Sequence, residues 1–274
     1  MRVLINYANH NYAKAQRINS LTGKWIAGFN KIIEYSPGDI DDVFAKEHSY
    51  VLSIERGNGL WLWKPYFIYR TLCELSDGDF LFYCDSGAYF IRSIKAIERI
   101  SHNQGIWISH FPTITCNWIK PDLFQLMDCD NEATKTSRMI HSAFIGLVKC
   151  ELSMRFAKDW LDCCCDIRML DSVNRNYAST DPRFIEHRED QSVLTLLLKR
   201  YYSELTTHHD PTQFSRYPEE YWRNRCTGTR SHLYDLTPSP IFYRPIIVLH
   251  RSNVDCRVCV KRFLEATILK KRLD

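Results

Sequence analysis

The chain lacks the features that would place it in several specialised classes. Its formal net charge is only +4 over 274 residues, and it has no lysine-rich arm or strongly basic domain, so a nucleic-acid partner is not expected. No apolar run is long enough to span a membrane. The opening segment Met1–Ala8 is too short and too strand-like for a secretory signal. With only ten glycines and ten prolines, and no repeat or low-complexity tract, global disorder is not expected.

Cysteine is plentiful, with eleven residues. Without a secretory signal we expect these to remain thiols in a reducing compartment, which predicts a cytoplasmic protein. Cys256 and Cys259 form a single C-x-x-C motif with no second pair nearby, so a zinc site is not predicted. Residues 260–273 have the pattern of an amphipathic basic helix. Such a helix could contact an anionic membrane surface peripherally, or it could pack on the domain as a solvated helix.

Apolar strands alternate with helical patterns along most of the chain, which predicts an α/β fold built from βαβ units. Pro65 falls in the first turn of one helix, where proline is tolerated. No linker interrupts the pattern, so a single domain is expected. The predicted strands cover residues 3–8, 31–35, 50–53, 80–84, 106–109, 142–148 and 241–249, and the predicted helices cover residues 13–21, 39–46, 65–75, 91–100, 150–165 and 186–202.

The apolar strand Phe80–Cys84 ends at Asp85-Ser-Gly87. In open α/β sheets, ligands bind outside the carboxyl ends of the strands. A carboxylate there suits a divalent cation that holds a diphosphate, and Gly87 lets a ligand approach the backbone closely. Taken alone, the motif also fits an aspartate that forms a turn.

A basic, aromatic segment, Arg56–Tyr66, precedes this strand. The side chains of Arg56 and Lys64 would supply the positive charge that a diphosphate needs. Trp61 and Trp63 could stack on a base or a sugar, or they could be ordinary core around the start of the helix.

A second polar group opens the helix predicted over residues 186–202. Glu189, Asp190 and Gln191 lie near its N-terminus, where they could face a reacting sugar. Acids are also common there because they stabilise helix N-termini. His250 follows the last predicted strand, and it could complete a metal shell, touch a phosphate or be structural.

Together these segments resemble a family of GT-A-fold glycosyltransferases found in capsular, lipopolysaccharide and viral glycan gene sets. The similarity extends from Val3 to about Tyr202, and the order and spacing of its tryptophan-lysine-proline and aspartate-glutamine-serine segments are the most specific features. The matching stretches are Arg56-Gly-x-Gly-x-Trp-x-Trp-Lys-Pro-Tyr66, Asp77-Gly-Asp79, Tyr83-x-Asp85-Ser-Gly87, Trp118-x-Lys-x-Asp122 and His187-Arg-x-Asp-Gln-Ser192.

The resemblance implies a GT-A-like (Rossmann-like) fold with a mixed, mainly parallel central sheet flanked by helices. It implies an enzyme that transfers a sugar from a nucleoside-diphosphate sugar, such as a uridine or guanosine diphosphate sugar, to a glycan or glycolipid acceptor. Residues 1–116 would form the nucleotide-sugar-binding half, residues 117–255 the acceptor and catalytic half, and residues 256–274 a C-terminal basic helix.

The resemblance also implies a divalent cation, Mn²⁺ or Mg²⁺, with Asp85 in the place of the first acid of a D-x-D motif. The second acid is replaced by Gly87, so strict Mn²⁺ dependence is not implied, and His250 could be the missing ligand. The donor would be bound by Asn6, Tyr7, Arg56, Trp61, Lys64, Ser86 and Gly87.

Asp190 and Gln191 resemble the acid-rich helix start near the anomeric carbon in several retaining enzymes of this fold, which implies retention of configuration. If the enzyme inverts instead, Asp190 or Asp122 would act as the base on the acceptor hydroxyl. Lys120 and Asp122 would border the acceptor.

Two other classes of protein stay open. A nucleotidyltransferase or a nucleotide-sugar hydrolase could use a similar fold, although residues 6–11 contain no glycine for a phosphate loop after the first strand. A non-catalytic glycan-binding protein could also have kept the fold.

Overall fold

The computed structural model describes residues 1–208, 210–212, 246–249, 260 and 264. Its strands are β1 (Arg2–Tyr7), β2 (Lys31–Tyr35), β3 (Phe80–Cys84), β4 (Ala88–Phe90), β5 (Ile106–Ile114), β6 (Arg138–Val148) and β7 (Ile247–Leu249). Its α-helices and helical turns are α1 (Ala13–Thr22), α2 (Asp42–Glu47), α3 (Ser49–Leu52), α4 (Gly57–Leu60), α5 (Trp63–Glu74), α6 (Lys95–Gln104), α7 (Thr115–Trp118), α8 (Pro121–Leu126), α9 (Glu132–Lys135), α10 (Glu151–Cys165), α11 (Ile167–Leu170) and α12 (Glu189–Tyr201). A π-helical turn, Gly23–Ala27, continues α1.

Five strands form the central sheet in the order β2-β1-β3-β6-β5. β1 pairs in parallel with both β2 and β3, whereas β6 is antiparallel to β3 and β5. Four strands of this sheet therefore point in one direction and β6 opposes them. With helices on both faces, this confirms the predicted mixed, mainly parallel α/β sheet. β4 and β7 form a separate antiparallel pair.

Side chains alternate across the central sheet and bury two apolar clusters, one on each face. Val3 and Ile5 of β1 belong to the first cluster and Leu4 to the second. Helices α5, α10 and α12 cover the first face, and α6 and the π-helical turn cover the second. Every residue of β3 is buried. Because β3 is the central strand of the five, its carboxyl end lies in the middle of the sheet edge.

Most predicted elements are present, but several bounds differ: β5 extends to Ile114 instead of Ser109, β6 begins at Arg138 instead of Ser142, and α12 begins at Glu189 instead of Glu186. The strand predicted at Tyr50–Ser53 is wrong, because these residues belong to the helical turn α3, from which Val51 packs into the core. The helix predicted from Ile91 begins at Lys95. The backbone N–H of Ile91 instead donates to the carbonyl of Ile246 at 2.8 Å, beside the β4–β7 pair.

Several predictions fall wholly or mostly outside the described residues. They include most of the strand predicted over residues 241–249, the C-x-x-C motif, His250 and the C-terminal basic helix. The division at residues 116 and 255 stays a prediction. Among the described helices, none combines the length and the apolar character needed to cross a membrane.

Candidate functional site

Asp85 lies directly after β3, at the carboxyl edge of the central sheet. Its backbone N–H donates to the carbonyl of Ala143 at 2.9 Å, and its own carbonyl accepts from the N–H of Ala88 at 3.1 Å, which closes a tight turn. The phenol of Tyr83 donates to Asp85 Oδ1. The Asp85 side chain is still 36% exposed. The carboxylate is thus fixed from behind and open towards solvent.

Lys64 lies behind Asp85, in the first turn of α5, with its side chain only 3% exposed. Its Nζ lies 3.1 Å from Asp190 Oδ2 and 3.5 Å from Asp85 Oδ1. It also donates to Ser142 Oγ at 3.3 Å. The ammonium group thus donates one hydrogen bond to Ser142 and lies within ion-pair distance of two carboxylates. The sequence prediction gave Lys64 a diphosphate contact, whereas in the structure its ammonium group holds two carboxylates together.

Asp190 brings the second predicted segment to the same place. It lies in the first turn of α12 with its side chain 5% exposed. The indole Nε1 of Trp160 donates to its backbone carbonyl at 3.2 Å. Gln191 follows it and is half-buried. Two segments far apart in the chain therefore meet at the Lys64 ammonium, and we call Asp85, Lys64 and Asp190 the charged triad.

The charges of the triad depend on one another. Burial lowers the pKa of Lys64, but the nearby charges of Asp190 and Asp85 more than offset burial, so that the pKa is raised. Burial raises the pKa of Asp190, the ammonium of Lys64 lowers it, and the charge of Asp85 raises it again, with a net increase. Ionised Asp190 thus depends on the positive charge of Lys64.

Arg56 points to the start of α12 as well. Its Nε lies 2.5 Å from Glu189 Oε1 and its terminal nitrogen lies 2.8 Å from Glu186 Oε1. The side chain is 49% exposed, and its guanidinium group lies 5.9 Å from the ring centroid of Trp61. Arg56, which was predicted to bind the diphosphate, thus pairs with two acids and remains open to solvent at the rim of the site.

Glu189 is the buried partner of Arg56. Burial raises its pKa to about 7, although the hydrogen bond and charge of Arg56 act to lower it. Its backbone φ is +34°, an uncommon value for a residue other than glycine. This carboxyl group therefore titrates near neutral pH next to the charged triad.

We expect Glu189→Gln to remove part of the pH dependence of stability. The folded-state pKa of about 7 exceeds the ordinary value of 4.5, so the folded protein binds more protons than the unfolded chain between these values. The contribution of Glu189 to the free energy of unfolding is therefore fully present below the unfolded pKa and is lost as the pH rises through 7. Relative to wild type, the variant should gain stability as the pH rises through this window.

Urea unfolding at several pH values measures the difference, and Glu186→Gln is the control. Equal slopes for both variants would contradict the assignment.

The backbone between Arg56 and α5 is left-handed over five successive residues. Gly57, Asn58, Gly59, Leu60 and Trp61 all have positive φ values. A Cβ on Gly57 would lie 2.1 Å from the ring of Trp61, and one on Gly59 would lie 2.9 Å from Leu52 Cα, so both positions need glycine. Left-handed backbone at residues other than glycine is strained and tends to occur at functional sites.

Three further residues that were predicted to bind the sugar donor lie beneath the carboxyl edge of the sheet and support it. Asn6 is 1% exposed, and its amide donates to Asn19 Oδ1 and Ser20 Oγ. Ser86 Oγ donates to the carbonyl of Tyr7 at 2.6 Å. The ring of Tyr7 stacks on Trp63 at 3.7 Å between centroids, and burial raises its pKa to about 12. Trp63 is thus part of the core. Gly87 is half-buried in the turn.

Asn19 was missed by the sequence analysis. Its side-chain amide donates to the carbonyl of Ala88 at 2.9 Å and to that of Asp85 at 3.3 Å, so it holds both ends of the turn after β3. It is fully buried. A single asparagine on the buried face of α1, opposite a strand end, is the signal that could have identified it.

Lys120 and Asp122 form a separate cluster. The buried ammonium of Lys120 donates to the carbonyls of Arg168 and Val173 at 2.6 and 2.9 Å. Asp122 Oδ2 accepts from the backbone N–H of Arg175 at 2.7 Å. These contacts fasten the segment before α12 and do not involve the charged triad.

His187 lies against this second cluster. Its Nδ1 accepts from the backbone N–H of Lys120 at 3.3 Å. Burial first, and then the charge of Lys120, lower its pKa to about 3. His187 is therefore neutral at physiological pH and structural.

The described residues do not supply a complete set of protein ligands for a divalent cation. Among them, no group of three or more histidine, cysteine or acidic side chains could hold a metal. Asp85 contributes one carboxylate that already has the Lys64 ammonium at 3.5 Å, and Gly87 contributes no side chain. His250 lies outside the described residues. We therefore derive no step through a metal.

Comparison with known proteins gives distant structural similarities. No protein-family model and no curated protein matches the chain. Mouse xyloside xylosyltransferase 1 is similar with a TM-score of 0.48 and 11% identity, covering 82% of this chain and 89% of that one. Galactosyltransferase LgtC, solved with donor and acceptor sugar analogues, has a TM-score of 0.41 and 11% identity, covering 97% and 94%. A glycosyltransferase involved in glycosylation of the major capsid of PBCV-1 has a TM-score of 0.36 and 10% identity, covering 77% and 82%. At these values the similarities carry no argument about activity.

Proposed function

We propose that the protein is a glycosyltransferase that binds a nucleoside-diphosphate sugar at the carboxyl edge of β3 and transfers the sugar to a glycan acceptor. The observation that carries the proposal is the charged triad, in which Asp85 and Asp190 converge on the Lys64 ammonium. The motif resemblance to GT-A-fold glycosyltransferases supports the same reaction, because both acids belong to its matching stretches.

The chemistry requires a negative environment at the anomeric carbon and a positive one at the diphosphate. In glycosyl transfer the bond from the anomeric carbon to the diphosphate oxygen breaks and a bond to the acceptor oxygen forms. The acceptor hydroxyl gives its proton to the departing diphosphate in the retaining mechanism, or to a carboxylate base in an inverting one. The anomeric carbon gains positive charge in the transition state. Asp85 and Asp190 together carry two negative charges against the one positive charge of Lys64, in a site where preorganised charges act strongly.

Each residue of the site then has a defined part. Asp85, with its exposed carboxylate, faces the donor, and Asp190 stabilises the reacting carbon, with Gln191 positioning the sugar. Lys64 is a positioning residue that holds both carboxylates in place, and its charge lowers the pKa of Asp190 against the effect of burial. Arg56 at the rim would exchange its contacts with Glu186 and Glu189 for the leaving diphosphate, since guanidinium groups bind phosphate oxygens well.

The proposal takes retention of configuration, with Asp190 at the reacting carbon. Asp190 lies at the triad, whereas Asp122 contacts the backbone N–H of Arg175 in the separate cluster. An inverting mechanism with Asp190 or Asp122 as base is the competing outcome, and the anomeric configuration of the product decides between retention and inversion.

Thermal unfolding with a panel of nucleoside-diphosphate sugars tests donor binding. We expect a uridine or guanosine diphosphate sugar, at about ten times its dissociation constant, to raise the melting temperature by about 3 °C. Asp85→Asn should reduce this shift, and Asp162→Asn, an exposed acid on α10, should keep it. Each donor is measured with Mn²⁺ and with a chelator. No shift with any donor would contradict the proposal, and release of free sugar without transfer to any acceptor would point to a hydrolase.

A further inference from the structure

The outer face of α1 and the π-helical turn that follows it is basic and apolar. Residues 1–33 contain no aspartate or glutamate. Trp25 is 76% exposed and Leu21 is 50% exposed. Side chains three or four positions apart share one face of a helix. We call the following exposed residues the α1 surface: Lys14, Arg17, Leu21, Lys24 and Trp25.

The fold fixes this surface from below. Ala15 and Asn19 of α1 are buried against the sheet. A Cβ on Gly23 would lie 2.4 Å from Leu4 Cδ2, so only glycine lets the π-helical turn pack this closely on β1. Gly28, with φ of +87°, ends the turn and donates its N–H to the carbonyl of Gly23 at 3.0 Å. Trp25 is therefore presented outward by a firmly packed turn.

The chemistry of the α1 surface matches one kind of partner. Tryptophan is enriched at the level of lipid headgroups, and helices with basic and apolar residues on one face lie in the plane of the membrane interface. Lysine and arginine next to such residues are attracted by anionic lipids. Lys24 Nζ lies 5.3 Å from the ring centroid of Trp25, so charge and aromatic ring are presented together.

We propose that the α1 surface docks the protein on an anionic membrane. A protein partner is disfavoured, because a stable protein interface buries about 800 Å² on each side, and two apolar side chains on a single helix offer much less. The inference is independent of glycosyl transfer, and it concerns a different segment from the basic C-terminal helix predicted from the sequence.

The proposed docking leaves the site accessible. Buried Asn19 of α1 donates to the backbone carbonyls of Asp85 and Ala88 at 3.3 and 2.9 Å, so the turn that carries Asp85 lies against the buried side of α1, opposite the α1 surface.

Co-sedimentation of the full chain with lipid vesicles tests the proposal. One vesicle preparation contains phosphatidylcholine alone, and the other contains equal amounts of phosphatidylcholine and phosphatidylserine. We expect binding to the mixed vesicles and weaker binding at high salt. Replacing Lys14, Arg17 and Lys24 together with glutamine should lower the partition coefficient by about 100-fold, since each cation near an anionic bilayer contributes about fivefold. Leu21→Ser with Trp25→Ser should lower it as well.

Two matched controls identify the surface responsible. Val43→Ser with Tyr50→Ser removes two apolar side chains of similar exposure, 76% and 73%, from another part of the molecule and should leave binding unchanged. Replacing Lys270, Lys271 and Arg272 with glutamine tests the C-terminal segment. Unchanged melting temperatures show that the variants are folded. The proposal is overturned if mixed vesicles are not bound, if phosphatidylcholine alone binds equally well, or if the α1 variants bind like wild type.

Discussion

Replacing Lys64 with methionine is expected to lower the free energy of unfolding by about 3–5 kcal/mol, because it leaves two carboxylates facing one another without a cation. Lys64 is almost fully buried, and its Nζ lies 3.1 Å from Asp190 Oδ2 and 3.5 Å from Asp85 Oδ1. Burial already raises the pKa of Asp190. Without Lys64, Asp190 is expected to take up a proton. Both the free energy of unfolding and its dependence on pH should therefore change. Urea unfolding measures both.

A double substitution separates the charge effect from the loss of packing. Lys64→Met combined with Asp190→Asn removes the uncompensated charge, so the double variant should be more stable than Lys64→Met alone. Lys158→Met is the matched control, because the Lys158–Asp162 pair has exposed side chains, 46% and 56%, and such pairs contribute less than about 1 kcal/mol. If Lys64→Met and Lys158→Met lower the free energy of unfolding equally, Lys64 does not balance the charges of Asp85 and Asp190.

The sequence predicted the position of Asp85 because its signal is local. Phe80–Cys84 is an uninterrupted apolar run bounded by turn residues, and such a run is typical of a fully buried strand. The residue after it must then lie at the sheet edge. The helix α12 was predicted for a similar reason, since Val193, Leu194 and Leu197 form one apolar face, although it begins at Glu189 and not at the predicted Glu186.

The partners of the charged side chains could not be predicted in this way. The three acceptors around Lys64 come from a strand end, the middle of β6 and a helix start. Arg56 and Lys64 both reach the start of α12, but Arg56 contacts Glu186 and Glu189 whereas Lys64 contacts Asp190. Periodicity places a residue on an element, but only the packing of elements decides which charges meet.

The error at Tyr50–Ser53 has a similar cause. Tyr50, Val51 and Leu52 are residue types that favour strands or fit both strands and helices, and the run is short. Val51 packs into the core from a helical turn that directly follows α2. Tertiary packing therefore overrode the local preference.

Asp190→Asn is expected to lower the rate of sugar transfer by about a thousandfold, because it removes a negative charge beside the carbon where positive charge develops. The substitution keeps the size of the side chain and a hydrogen-bond acceptor for Lys64. Donor binding should largely remain, since the variant changes a group that acts on the transition state more than on the bound donor. Steady-state kinetics should therefore show a fall in kcat with a small change in KM, and the donor should still raise the melting temperature.

Asp122→Asn measured in parallel tests whether Asp122 is the base of an inverting mechanism. In the retaining mechanism proposed here, Asp122 borders the acceptor and its loss should affect KM for the acceptor more than kcat. A loss of kcat in Asp122→Asn with an unaffected Asp190→Asn, together with an inverted product anomer, would make Asp122 the base and contradict the role given to Asp190. If both variants transfer sugar as fast as wild type, the reacting carbon lies elsewhere. Replacing a carboxylate next to the reacting carbon by an amide of the same size should change the rate.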